Sequence, residues 1–177
     1  MSWSRNKRPP TVPPTPEEAW SKAILWLSRS SLSRFDVEKR LYRIGADEET
    51  VEAVIQKLFE YGYLNDERFV RSFVRYRTET TTNGSLRLMR DLSLRGIEQD
   101  EARQVVKELL PEDREVERAR RIAEKKIREW TKAGKTEAMG SRLGRHLQQK
   151  GFPLDCIYRL LDELARDRSL DPPDSEN

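Results

Sequence analysis

The sequence predicts an all-α protein, an elongated array of three tandem three-helix repeats, and three observations lead there. The first is a recurring triad of a leucine, a glycine four residues on and another leucine thirteen after that: Leu41, Gly45, Leu58; Leu92, Gly96, Leu109; Leu147, Gly151, Leu164. The second is that the register extends around each triad. An aliphatic residue stands eight before each glycine (Val37, Leu88, Leu143), and an aliphatic pair stands nine and ten after it (Val54-Ile55, Val105-Val106, Leu160-Leu161). The third is helical spacing of apolar residues throughout, with no strand-like alternation. A period of about 50 residues marks one supersecondary unit used three times.

Each recurring glycine reads as the left-handed stop of a helix. With glycine at C′ of a Schellman motif, C3 falls on Leu41, Leu92 and Leu147 and C″ on Ala46, Ile97 and Phe152, which meet to close the cap. Residues 1–15 hold four prolines, Arg5, Lys7 and Arg8, and read as a disordered basic arm. The first repeat, 16–64, opens with Thr15 as N-cap, Pro16 at N1 and Glu18 at N3 in a capping box, and its first helix runs to about Ser30. Ser33 with Asp36 opens the second helix, which Gly45 ends. Asp47 caps the third, carrying Val51, Val54, Ile55 and Leu58 at helical spacing.

The second repeat, 65–111, starts at Asn65 with a helix expected to bury Phe69, Phe73 and Tyr76. A polar loop from Thr80 to Gly84 precedes the helix ending at Gly96, and a third helix leads to Pro111. The third repeat, 112–168, has a long helix from about Asp113 to Ala133, broken by Gly134, then helices from Thr136 to Lys150 and from Pro153 to about Arg166. Residues 169–177 read as a disordered acidic tail.

Composition narrows the function. Charged residues make up 37% of the chain, well above the usual ~25%. The longest apolar run is Ala23–Leu27, far short of the ~20 residues of a membrane span, so no membrane association is expected. The basic N-terminal residues lack the apolar stretch of a signal peptide, and the single cysteine excludes an internal disulfide; a cytoplasmic monomer is expected. No phosphate loop, nucleophile elbow or metal-ligand spacing occurs, so neither catalysis nor a cofactor is expected. His146 and Cys156 fall at repeat positions held elsewhere by Arg40, Asp91, Thr50 and Glu101, and read as non-core residues.

Charge is distributed unevenly. Residues 36–67 hold nine acids against four bases, a net of −5, whereas residues 118–150 hold eleven bases against three acids, a net of +8. On the seventh helix Val116, Ala119, Ala123, Ile127 and Trp130 share one arc, while Arg118, Arg121, Lys125, Arg128 and Lys132 fall opposite. Such a stripe follows a polyanion; alternatively it is a solvated face stapled by Glu117–Arg121 and Glu124–Arg128 pairs. Arg68, Arg71 and Arg75 form a second stripe, joined by Arg87, Arg90 and Arg95, and in the third repeat by Arg142, Arg145 and Lys150. Together these are the candidate contacts to single- or double-stranded DNA, through its backbone and without base readout. Trp26 and Trp130 lie on apolar faces and read as core, whereas Tyr63 sits in a connector and is expected to be partly exposed.

The octet GYLNDERF, Gly62 to Phe69, follows the helix of residues 51–58. With the triple repeat, and with Ser33-x-x-Asp36-Val37-x-x-x-Leu41 and Leu92-x-x-x-Gly96-Ile97, it resembles the RecX family over roughly residues 18–166. The resemblance implies a cytoplasmic regulator, usually an inhibitor, of the RecA recombinase in DNA repair, recombination and the SOS response. It implies lodging in the groove of the RecA filament on DNA and suppression of strand exchange and ATP hydrolysis. The chain departs from the family where a glycine-rich basic loop is common, since Thr78–Ser85 is threonine-rich and acidic at Glu79.

The octet also has a local structural reading. Gly62 stops a helix, Tyr63 and Leu64 form the connector, Asn65 caps the next helix, and Asp66-Glu67 favour its N-terminal dipole ahead of Arg68 and Phe69. The rival to the recombinase reading is a stand-alone nucleic-acid-binding or helical adaptor protein. A helix-turn-helix factor using residues 36–44 and 47–60 is disfavoured, because Asp47, Glu48, Glu49 and Glu52 would be repelled by phosphates.

Overall fold

A computed structural model describes residues 12–167, so the expected acidic tail and most of the N-terminal arm lie outside the described residues. Nine helices and no strand occur among the described residues: α1 (Pro16–Arg29), α2 (Arg34–Arg43), α3 (Glu48–Glu60), α4 (Asp66–Thr80), α5 (Ser85–Ser93), α6 (Gln99–Leu109), α7 (Glu112–Lys132), α8 (Met139–Lys150) and α9 (Leu154–Arg166). The chain forms two compact units. One comprises residues up to Phe73 with Leu94–Ile97, and the other comprises Val74–Ser93 with the chain from Glu98 onward.

Helix starts follow their capping chemistry. Thr15 Oγ1 accepts from the Glu18 amide, and the Glu18 carboxylate accepts from the Thr15 amide at 3.1 Å, completing the capping box. Asp47 Oδ1 accepts from the Thr50 amide at 2.9 Å, and Asn65 Oδ1 from the Arg68 amide at 2.7 Å. α6, α7, α8 and α9 start without a side-chain cap, and α8 departs furthest from its expected start. It begins at Met139, three residues beyond the expected Thr136, after Ala138 in a left-handed conformation (φ 49°) without a side-chain cap. No Ser, Thr, Asn or Asp stands at that cap position to hold an earlier turn.

Helix ends follow glycine. Gly45, Gly62, Gly96, Gly134 and Gly151 all have positive φ. At Gly45 the Schellman bonds run from the Ala46 amide to the Leu41 carbonyl (3.2 Å) and from the Gly45 amide to the Tyr42 carbonyl (3.0 Å). At Gly151 the Phe152 amide donates to the Leu147 carbonyl (3.1 Å) and the Gly151 amide to the Gln148 carbonyl (2.9 Å). The expected C3 and C″ residues are buried in every copy.

In the first unit α1 packs on α3, and α2 bridges them. Its core gathers Ala19 and Ala23 of α1, Val37 and Leu41 of α2, Val51, Val54, Ile55 and Leu58 of α3, and Leu64. The third set of helices repeats the device: α7 packs on α8 and α9, again with alanines four apart, Ala119 and Ala123, fully buried at the contact. Small side chains there allow the helices a close approach, and leucines from the neighbouring helices fill the space.

The recurring glycine has a second use, in docking. In the first unit Ser33 Oγ, at the start of α2, donates to the Arg95 carbonyl at 2.8 Å, and a Cβ on Gly96 would lie 2.6 Å from the Phe35 Cβ. In the second unit the Gly84 amide, at the start of α5, donates to the Lys150 carbonyl (2.9 Å) and the Leu86 amide to the Gly151 carbonyl (3.0 Å). There a Cβ on Gly151 would lie 2.6 Å from the Arg87 Cβ, and one on Gly84 2.5 Å from the Phe152 amide nitrogen. Ser33 and Gly84 each stand twelve residues before their own repeat's glycine. The same position of the repeat therefore meets a segment carrying a recurring glycine in both units, Arg95–Gly96 in the first and Lys150–Gly151 in the second.

Two expectations about side chains are corrected. α4 buries Phe69, Val70 and Val74, leaves Phe73 half-buried, and exposes Tyr76 at 63%, because the apolar arc is centred on the valines. Cys156 is a core residue, 2% exposed among Val116, Leu143 and Leu160, where the equivalent Thr50 is also buried.

Docking and capping predict different costs for different glycines. Gly96→Val and Gly151→Val should each destabilise the protein by about 3 kcal/mol or more, combining left-handed strain with overpacking. Gly134→Ala meets nothing within 4 Å and should cost only about 1–2 kcal/mol. Equal shifts of the urea midpoint in all three would remove the docking role.

Candidate nucleic-acid interface

Half of the sequence-selected cations are engaged within the protein, and the structure separates them by task. Arg95 has a structural role: its guanidinium pairs with Asp36 at 2.5 Å and lies over the rings of Phe69 (5.8 Å) and Phe73 (5.5 Å). It joins the segment after α5 to α2 and α4, and is not available to a phosphate. Arg118 is likewise turned inward from the stripe. Its Nη2 donates to the Thr81 carbonyl at 3.2 Å, burial pushes its pKa down, and neighbouring Glu115 opposes that shift.

Glu115 itself is 5% exposed and accepts from the Ser85 amide at 2.6 Å, so a carboxylate of α7 caps the start of α5. Burial raises its pKa, against the Ser85 hydrogen bond and the charge of Arg118. Sequence reading missed this residue because its value lies in a contact thirty positions away. Two further cations clamp α7 to α9: Arg120 pairs with Glu163 (2.6 Å) and Asp167 (3.5 Å), and Arg159 with Asp113 (2.9 Å) and Glu112 (3.4 Å). The +8 of residues 118–150 thus overstates the charge left to attract a polyanion.

What remains on α7 is Arg121, Lys125, Arg128 and Lys132, all exposed. Arg121 pairs with Glu117, as the acid-first spacing predicts. Among the described residues no ion pair holds Lys125, Arg128 or Lys132, so the expected Glu124–Arg128 pair does not form. These three, about one turn apart, are the continuous stretch of α7 best able to track phosphates.

On α4, Arg71 pairs with Glu67 at 3.2 Å, and Arg68 Nη2 donates to the Gly62 carbonyl at 3.0 Å, while Arg75 is exposed. Arg87 and Arg90 are exposed on α5, and Arg145 on α8, with Lys150 half-buried. Arg142 donates to the Lys135 carbonyl at 2.7 Å and lies over Trp130. Trp26 and Trp130, expected in the core, are half-buried at its rim, each beneath an arginine, Arg40 and Arg142. His146 is half-buried rather than on the open surface, its ring edge-on to Trp130.

The octet is a hinge built from local contacts. Gly62 adopts φ 69°, and the Tyr63 and Leu64 amides both donate to the Leu58 carbonyl. Leu64 and Phe69 are buried. Asp66 does more than favour its own helix: its Oδ1 accepts from the Arg34 amide at 2.8 Å, capping the start of α2. Tyr63 is 51% exposed and belongs to an aromatic group that sequence reading missed, with Trp20 at 6.0 Å and Tyr61 at 6.5 Å, and with Lys57 over Trp20 at 4.7 Å. Tyr61 lay hidden because its exposure depends on where the capped end of α3 turns.

Among the described residues no helix is long and apolar enough to cross a membrane, and no cluster of His, Cys, Asp and Glu could hold a metal. Three family models match in tandem: the first three-helix domain of RecX over residues 19–58, the second over 65–106 and the third over 112–161. The "Regulatory protein RecX" of Pseudomonas savastanoi pv. phaseolicola is 30% identical over 86% of this chain and 95% of its own. That of Prosthecochloris aestuarii is 31% identical over 83% and 93%. Against the Bacillus velezensis protein of the same name, 28% identical, the chain spans only 55% of the relative's length. The crystal structure of RecX from Lactobacillus salivarius superposes with a TM-score of 0.77 at 24% identity, over 85% of this chain and 97% of that one, and supports the fold alone.

Two measurements test this assignment of tasks. Reversing Lys125, Arg128 and Lys132 to glutamate should abolish most DNA binding and lower the salt slope by about 3 on duplex DNA, whereas Arg118→Ala should lower the melting temperature and leave that slope unchanged. The Cys156 thiol is pushed up to about 12 by burial, with Glu115 and Glu112 adding to the shift. It should react with a disulfide reagent at neutral pH only at the rate of unfolding.

Proposed function

The chain belongs to the RecX family, and on that premise we propose that it inhibits the RecA recombinase by lodging in the groove of the recombinase filament on DNA. The observation that carries the DNA side of this reading is the run of Lys125, Arg128 and Lys132, exposed and without ion pairs among the described residues. Three successive cations follow a phosphate backbone without reading bases. The protein side rests on the acidic stretch of residues 36–67, net −5, which runs from the first repeat into the start of the second and bears the exposed rings of Tyr61 and Tyr63. Acids complement basic protein surface, and exposed tyrosines are typical anchors of protein interfaces.

In this reading three modules, residues 16–64, 65–111 and 112–168, act as one cytoplasmic monomer that bridges filament subunits and obstructs the second DNA strand. Binding alone performs the task, without catalysis. The threonine-rich loop Thr78–Ser85 contributes no cation of its own to the phosphates. The second reading, DNA binding with no recombinase target, is favoured by the same three cations and parts from the first in a single assay.

Below stoichiometric amounts relative to recombinase, the protein should lower DNA-dependent ATP hydrolysis and strand exchange. Lys125→Glu/Arg128→Glu/Lys132→Glu should be at least about tenfold weaker, as expected when phosphate contacts are lost. Unchanged ATPase at low salt, with filaments verified by microscopy, would overturn the recombinase reading in favour of plain DNA binding.

A further inference from the structure

At the end of α7, Trp130 and one face of α8 enclose a hollow of about 440 Å³ lined by Trp130, Arg142, Arg145, His146 and Gln149. The α8 residues follow one another at helical spacing, so their side chains converge on one side. Its rings are fixed: the imidazole stands edge-on to the indole, 6.2 Å between centroids at 83°. Its cations are not neutralised. Arg142 lies 5.5 Å from the indole centroid and donates to the Lys135 carbonyl, and Arg145 Nε donates to the Ser141 carbonyl at 3.5 Å; among the described residues neither has a carboxylate partner. His146 Nε2 is buried without a hydrogen-bond partner among the described residues. Burial, with Lys126 and Lys150, pushes the imidazole pKa down, so the ring is neutral at physiological pH.

A bare anion would use the two guanidiniums and gain little from an indole and a neutral imidazole. A base in a duplex offers neither face to a hollow of this kind. An unpaired nucleotide matches the parts: an indole face for its base once the Arg142 guanidinium that lies over it turns to the phosphate, an imidazole at 83° to the indole for the base edge, a carboxamide beside it and two arginines for the phosphate. We propose that this hollow binds one nucleotide of a single-stranded nucleic acid, its base against Trp130 and His146 and its phosphate on Arg142 and Arg145. The site deepens the DNA-binding reading above and rests on it. It gives the third set of helices a base-dependent contact in addition to the phosphate-tracking stripe on α7.

The test compares labelled oligothymidylate with an abasic oligomer of equal length at one salt concentration. The wild-type protein should prefer oligothymidylate by roughly tenfold, the scale of one stacked base. Trp130→Leu, which keeps apolar volume at the rim of the core but removes the stacking surface, should abolish that preference while leaving abasic binding unchanged. Arg142→Gln/Arg145→Gln, with folding checked by circular dichroism because Arg142 is half-buried over Trp130 and bonded to the Lys135 carbonyl, should weaken both oligomers and lower the salt slope by about 1.4. No preference in the wild type, or a preference that persists in Trp130→Leu, overturns the site. If the site alone fails, Lys125→Glu/Arg128→Glu/Lys132→Glu still loses DNA binding; a wild-type protein that binds neither oligomer and leaves recombinase ATPase unchanged overturns the parent reading as well.

Discussion

The structure depends on a contact that no side chain can occupy: the start of one helix resting directly on the glycine that ends another. Between α5 and α8 two backbone amides, of Gly84 and Leu86, reach the carbonyls of Lys150 and Gly151, and glycine on both sides permits the approach. The start of α2 meets the segment Arg95–Gly96 in a related way, with the Ser33 hydroxyl replacing an amide. Each contact satisfies helix-end groups that would otherwise need water or a cap. It also sets where neighbouring side chains lie, including Glu115 at the start of α5 and Arg95 over two phenylalanines.

That constraint sorts the charges. Cations drawn into the docking contacts and the helix clamps, Arg95, Arg118, Arg120 and Arg159, hold the fold together, and their partners are carboxylates of other helices or, for Arg118, the Thr81 carbonyl in the loop after α4. Lys125, Arg128 and Lys132 of α7 are exposed and have no such partners among the described residues. A protein with 34 basic residues against 31 acidic ones can therefore keep a local cationic stretch with little net charge.

Most of the octet is explained by architecture. Gly62 and Asn65 build a tight turn between α3 and α4, and Asp66 caps α2 rather than facing a partner. Changing any of them would disturb the hinge before it disturbed a binding surface. The exposed members, Tyr63 and its neighbour Tyr61, are the part of this region left for a partner.

Helix existence, order and most ends were legible in the chain because they are set by neighbours within a few residues: Thr15 and Glu18, Asp47, Asn65, and the glycines with their C3 and C″ residues. The core face of α3 was legible too, since Val51, Val54, Ile55 and Leu58 meet one partner surface at one period. Periodicity misjudged Tyr76 and Cys156, whose burial depends on where the packing partner lies around the helix. The roles of Arg95, Arg118, Glu115 and Asp66 were illegible for a related reason, as each is decided by a group 30 or more residues away. By itself the sequence determined three copies of a helical unit, their left-handed stops and an uneven distribution of charge. Only the tertiary structure decided which cations remain free, because long-range pairing is a property of distances that linear spacing does not contain.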